Sequence, residues 1–307
     1  MSCTLSTDEY CRRVAGKQLA VLVQNGTKRH YYNGREYEQQ LVDFVHLLKD
    51  SADIEMSEQQ VLAMSSASGR ARAWLVAFLP PRCGAPCDQL LHQWRLVAKK
   101  LRPLEFVRVG VLNCGQNSGG FCSNVRAATA RYYPIASERH YSVSLQHLSE
   151  APYMLEWALE YIDDSVVKLN WHLFTKSVIA EELNPTSGKK PWLVYFHSPR
   201  CYRCYEMYAD FAITGILLHN AVQVGKVNCV NERSLCQHEQ VMGYPSLRLY
   251  LNRNPNQRFS SVVNIQVADY ESMLQEIRPH LAKYDENLLA GFESLPRKGF
   301  DIKHDEF

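Results

Sequence analysis

The chain has 307 residues, with 34 basic and 32 acidic side chains and a formal net charge of +2. So even a balance gives no electrostatic footprint for nucleic acid or an anionic membrane surface, and no apolar run approaches the roughly eighteen residues of a membrane span. The unusual feature is the ten cysteines, which all fall into short-range pairs.

Cys3 and Cys11 open the chain. Residues 19–23 and 28–32 read as two strands joined by Asn25-Gly26, the strongest short hairpin signal. Asn25-Gly26-Thr27 is also the one N-x-[ST] sequon, placed in a turn where a glycan is sterically possible. Residues 35–49 read as a helix with Leu41, Phe44, Val45 and Leu48 on one face. An apolar run from Trp74 to Leu79 then enters the turn Pro80-Pro81-Arg82-Cys83. Leu91, Trp94 and Val97 stand at helical spacing as core positions. Residues 104–113 read as the next strand, followed by Cys114 and Cys122, with Tyr133-Pro134 further on.

A second apolar run, residues 190–197, ends in Ser198-Pro199-Arg200-Cys201-Tyr202-Arg203-Cys204. A helix over 205–218 follows, then a strand over 222–228 and the pair Cys229 and Cys236. A strand over 243–250 is entered through Tyr244-Pro245. The Asn252 to Asn256 loop turns the chain into a strand over 258–264, and a closing helix covers 269–283. Trp74 to Cys83 aligns with Trp192 to Cys201 at an offset of 118. A cysteine pair recurs after each second strand, so the chain carries an internal repeat.

A buried strand that delivers C-x-x-C to the first turn of a helix suits dithiol-disulfide exchange. The helix N-terminus and the neighbouring Arg200 and Arg203 favour a thiolate at Cys201. Positions three apart share a helix face, so Cys204 can close a disulfide with Cys201. The same spacing is half of a zinc site, but no second C-x-x-C or histidine pair lies where a four-ligand site needs it. No metal is expected. No Gly-rich phosphate loop or nucleophile elbow is present either, and no cofactor is expected beyond the dithiol.

This order of elements, with a proline just before the third strand, resembles the thioredoxin fold: an α/β architecture in which a central mixed sheet is flanked by helices. Two complete tandem domains fit residues 51–165 and 166–285. Residues 1–50 fit the second half of a truncated third domain, and 286–307 form a tail. Tandem domains of this kind, with an extra cysteine pair in each, resemble the DnaJ-type branch of the protein disulfide isomerase group. The tail Lys303-His304-Asp305-Glu306-Phe307 resembles the K-D-E-L/H-D-E-L retrieval signal of the endoplasmic reticulum, with Phe for Leu. Met1 opens no secretory signal peptide, so the chain reads as a fragment, a truncated gene model or a short isoform.

The resemblance implies a thiol-disulfide oxidoreductase of the endoplasmic reticulum lumen that reduces disulfides of misfolded clients before their degradation. Cys201 attacks and Cys204 resolves, while Pro245 and Tyr244 hold the client strand. In the upstream domain the matching residues are Cys83 and Cys87, with Pro134 and Tyr133. The family's partners are disulfide-bonded clients and, through a J domain, a lumenal Hsp70. The J domain's His-Pro-Asp motif is absent from this sequence, so that partner is not carried over.

Departures from the family pattern bear on activity. The tryptophan expected before the first cysteine is Arg82 in one domain and Arg200 in the other. The buried acid of the preceding strand is replaced by Ala77 and Tyr195. Cys83 to Cys87 is a C-x-x-x-C, which is either an active pair of altered potential or a structural bridge in a silent binding domain. Cys229/Cys236, Cys114/Cys122 and Cys3/Cys11 each close a short loop with no activating turn before it. They read as structural disulfides, each worth roughly 2–3 kcal/mol in the chain-entropy model. The alternative function is a non-catalytic client-binding or scaffolding module.

Overall fold

The computed structural model describes residues 21–25, 28–32, 53–66, 70–115, 120–179, 190–251 and 261–284. Cys3, Cys11, the expected helix over 35–49, the Asn252 to Asn256 loop and the 286–307 tail lie outside these residues. The first described element is the hairpin β1 (Val21–Asn25) and β2 (Lys28–Tyr32), antiparallel with Asn25 opposite Lys28. Asn25 is thus the last paired residue of β1, and the chain reverses between Asn25 and Lys28.

Two five-stranded mixed sheets follow. In the first, β3 (Ile54–Glu55) and α1 (Glu58–Ser66) precede β4 (Ala73–Leu79), α2 (Ala85–Leu101) and β5 (Val107–Asn113). After these come β6 (Thr129–Tyr133), β7 (Tyr141–Ser144) and α3 (Ala151–Ile162). The strand order is β3-β5-β4-β6-β7. The second repeats the plan with β8 (Val167–Lys168), α4 (Trp171–Leu173, continuing as a π-helical Phe174–Ile179), β9 (Trp192–His197) and α5 (Tyr202–Leu217). It closes with β10 (Gln223–Asn228), α6 (Arg233–His238), β11 (Ser246–Leu251), β12 (Ser261–Ile265) and α7 (Tyr270–Tyr284). Its order is β12-β11-β9-β10-β8. These are thioredoxin-like folds with mixed sheets flanked by helices.

The apolar runs become central strands because both faces are buried there. Along β9, Leu193 and Tyr195 enter one core cluster, and Trp192, Val194 and Phe196 enter the other. β4 does the same, with Leu75, Ala77 and Leu79 on one side and Val76 and Phe78 on the other. A strand buried on both faces reads as a continuous apolar run rather than an alternation. Trp94 pins α2 to β5 by donating its indole N–H to the Gly110 carbonyl at 3.0 Å.

The opening β-α pair of each sheet leaves no mark in the sequence pattern, because two-residue strands carry no periodicity. One signal was available for α1. Ser57 and Gln60 form a reciprocal capping box, with the Ser57 N–H donating to Gln60 Oε1 at 2.8 Å and the Gln60 N–H to Ser57 Oγ at 3.2 Å. The edge strand β8 packs tightly over Gly225, where an added Cβ would lie 2.4 Å from Leu169 Cδ1 and 3.3 Å from Trp192 Cζ3. Gly225→Ala should therefore cost about 1–3 kcal/mol through overpacking, measurable by urea denaturation.

Candidate functional site

β9 ends at His197, and Ser198-Pro199-Arg200 turn the chain into α5. Cys201 is the N-cap of α5, and its Sγ accepts the Cys204 N–H at 3.1 Å. An N-cap atom that satisfies an orphan helix donor is the position where a thiolate is stabilised most. Cys201 is half-buried, Cys204 is 3% exposed, and the two are joined by a disulfide. Cys201, the less buried of the two, is thus the one a client can reach. Arg200 and Arg203 flank it on the exposed surface.

Beneath the pair lies Tyr195, fully buried, in the position where the family's acid was expected. Its hydroxyl donates to the Cys204 carbonyl at 2.9 Å, and its ring stacks on Phe211 at 4.8 Å between centroids. Burial, helped by the charge of Glu156, pushes the phenol well above its ordinary value, so it stays neutral. Tyr202, between the cysteines, donates to Glu150 Oε2 at 2.9 Å. Desolvation and that hydrogen bond raise it to about 12.

His197, which stacks on Tyr195 at 6.1 Å, is pushed down to about 4, chiefly by burial and further by Lys226. Its folded value lies below the unfolded one of about 6.5. The neutral ring therefore stabilises the fold above about pH 6.5, and that contribution is lost as pH falls towards 4. Denaturation series between pH 7 and 4 should show stability falling by up to about 1.4 kcal/mol per pH unit from this proton, with a shallower slope in His197→Phe.

β11 runs beside β9 with Ser246 opposite Phe196, so Tyr244-Pro245 stands at the end of the sheet where β9 hands over to α5. The Tyr244-Pro245 bond is the one cis peptide bond among the described residues. Tyr133-Pro134 does not match it, and the register gives the reason. Trp74 lies opposite Tyr133 as Trp192 lies opposite Tyr250, whereas Phe78 lies opposite Thr129 as Phe196 lies opposite Ser246. Tyr133 is therefore the counterpart of Tyr250, and Tyr133 and Pro134 lie at the end of the sheet away from Cys83. Ala128 occupies the place of Pro245.

Cys83 and Cys87 are disulfide-bonded, but their setting differs. The extra residue is absorbed by Gly84, which becomes the N-cap of α2 at φ 55 with no side-chain cap. A left-handed φ is cheap only for glycine. Cys83 is thereby displaced to the residue before the cap and accepts no helix N–H there. Val111 lies opposite Ala77 where Lys226 lies opposite Tyr195. Around Cys83 the positions of Tyr195, Lys226 and Pro245 are thus Ala77, Val111 and Ala128.

Cys114–Cys122 and Cys229–Cys236 are also bonded, and all four residues are buried. Each bridge closes the loop that leaves a parallel strand. Glu58 Oε1 accepts the Cys122 N–H at 3.2 Å and the Phe121 N–H as well, tying one of these loops to α1. The described residues hold no group of three or more side chains able to bind a metal ion. No described helix is long and apolar enough to cross a membrane.

Residues 166–275 match the thioredoxin family model. The chain is 27% identical over 235 residues to DnaJ homolog subfamily C member 10 of Rattus norvegicus, covering 75% of this chain and 28% of that protein. The Homo sapiens relative of the same name is 27% identical over 239 residues, with 76% and 28% covered. The chain thus spans little more than a quarter of the curated relatives it matches. Among solved structures, the crystal structure of ERdj5 form I covers 87% of this chain at a TM-score of 0.61 and 22% identity, with 35% of that chain matched. Full-length ERdj5 gives 0.60, again at 22% identity, with 85% and 37% covered; both matches speak to the fold. The chain is homologous to DnaJ homolog subfamily C member 10 over three quarters of its length, and its two five-stranded sheets are thioredoxin-like.

Proposed function

We propose that this chain is a thiol-disulfide oxidoreductase whose exchange site is Cys201/Cys204, reducing disulfides of client proteins in the endoplasmic reticulum lumen. The observation that carries the reading is the Cys201 sulfur, half-buried at the N-cap of α5 and accepting a helix N–H, with Cys204 buried behind it. Four disulfides among the described residues suit an oxidising compartment. The Cys201 thiolate attacks one sulfur of the client disulfide, forms a mixed disulfide and releases the other client sulfur as a thiolate. Cys204, once deprotonated, attacks the Cys201 sulfur, closes the Cys201–Cys204 bond and releases the second client thiolate. Two electrons pass to the client, and the oxidised pair is the form the structure holds.

A second reading fits the upstream unit. Ala77, Val111 and Ala128 leave Cys83–Cys87 in an apolar setting without the cap, the lysine and the proline of the other site. That unit serves as a client-binding or scaffolding module without turnover. Insulin-disulfide reduction driven by dithiothreitol tests the pair of readings. Acceleration by the unmodified chain, with a client trapped on Cys201 in Cys204→Ser, supports the enzyme. Absence of acceleration and of any trapped adduct would leave binding alone.

A further inference from the structure

α3, the last helix of the first thioredoxin-like unit, packs on α2 of its own unit and on α5 of the next. One turn apart on α3, Glu156 and Glu160 converge on Lys226, with Nζ at 3.6 and 3.4 Å from their Oε1 atoms. The Lys226 side chain is 8% exposed, and its ammonium sits 4.4 Å from the centre of the Tyr208 ring. Tyr208 follows Cys204 by one helical turn on α5. Lys226 also lies directly opposite Tyr195 in the sheet, the residue whose hydroxyl holds the Cys204 carbonyl. A buried ammonium therefore lies under the exchange site, and the carboxylates paired with it both come from the preceding unit. A buried charge needs such a partner.

We propose that the first unit completes the redox site of the second: Glu156 and Glu160 supply the counter-charge that keeps Lys226 from stabilising the reduced Cys201/Cys204 pair. This rests on reading that pair as the exchange site. A reduced pair carries thiolate, so an unbalanced ammonium nearby favours the dithiol and makes the disulfide more oxidising. With both carboxylates in place the Lys226 charge is balanced, although Glu160 is shared with the exposed Lys168 of β8 at 3.3 Å, and the pair is more reducing. Docking of the two units thus sets the reducing power of the second. The other groups facing Glu156 are Lys168 from β8, Tyr195 from β9, and Tyr205 and Tyr208 from α5. Burial raises the Glu156 carboxyl above its ordinary value, with Glu160 pushing the same way against Lys226 and Lys168, as its place beneath the helices requires.

The test is equilibration with glutathione, in which the Cys201–Cys204 disulfide and two glutathione thiols exchange for the dithiol and glutathione disulfide. Cys83→Ser and Cys87→Ser in every variant remove the other strand-to-helix pair and leave, among the described residues, only the buried loop bridges Cys114–Cys122 and Cys229–Cys236 beside Cys201/Cys204. Glu156→Gln with Glu160→Gln should shift the equilibrium about tenfold towards the dithiol, some 30 mV in potential. Lys226→Met should shift it the other way, and the variant with all three changes should fall between. Glu156→Asp with Glu160→Asp keeps the charge and should stay near the unmodified value. No shift in the glutamine variant overturns the proposal, as does an equal shift in the aspartate variant, which would assign the effect to packing. A Cys201–Cys204 pair that never exchanges with glutathione in the unmodified chain would sink the function reading itself.

Discussion

Cys201→Ser is expected to bring insulin-disulfide turnover down to the dithiothreitol background, whereas Cys83→Ser should leave it close to the unmodified rate. The two pairs look alike as spacings but not as geometry. The Cys201 sulfur occupies the N-cap of α5 and receives a helix N–H at 3.1 Å, which stabilises the attacking thiolate. Cys83 sits one residue further out, because Gly84 takes the cap of α2. Exposure works the same way: Cys201 is half-buried and open to a client, while Cys204 is shielded until the mixed disulfide forms. Equal losses in the two serine variants would show that both pairs turn over and that displacement from the cap is tolerated. A loss only in Cys83→Ser would reverse the assignment.

Lys100→Met is expected to destabilise the chain by about 3 kcal/mol, the low end of the range for breaking a buried pair because Lys100 is one-third exposed. Asp210 on α5 is 1% exposed and accepts two hydrogen bonds from Lys100 Nζ of α2, at 2.8 and 3.0 Å. It also accepts the Tyr270 N–H of α7 at 3.1 Å. Removing the lysine strands a buried carboxylate at the junction of the two units. Adding Asp210→Leu should recover much of the loss, since well-packed apolar replacements of ion pairs are often neutral. Guanidinium denaturation of the two variants checks this. A single mutant with unchanged stability would mean that Asp210 finds another partner or water on losing Lys100.

Much of this architecture was legible in the sequence because local rules settle it. A strand buried on both faces must be apolar throughout, so β4 and β9 announced themselves, and their offset of 118 announced the repeat. Cysteines a few residues apart can reach little except each other, and the four described pairs are bonded as their spacing suggested. The hairpin falls between the two runs that the sequence marked out, with Asn25 paired to Lys28. Tyrosine-proline, by contrast, is a two-letter coincidence. Only strand register distinguishes Tyr133-Pro134, at the far end of β6, from Tyr244-Pro245 beside the site. The cap positions behave alike, since C-x-x-x-C says nothing of which residue caps until Gly84 turns to positive φ. Lys226 and Glu156 stand seventy residues apart in sequence, in different units. No periodicity links them, because their pairing depends on how α3 packs over α5, and side-chain packing between separate elements is what the tertiary fold alone decides.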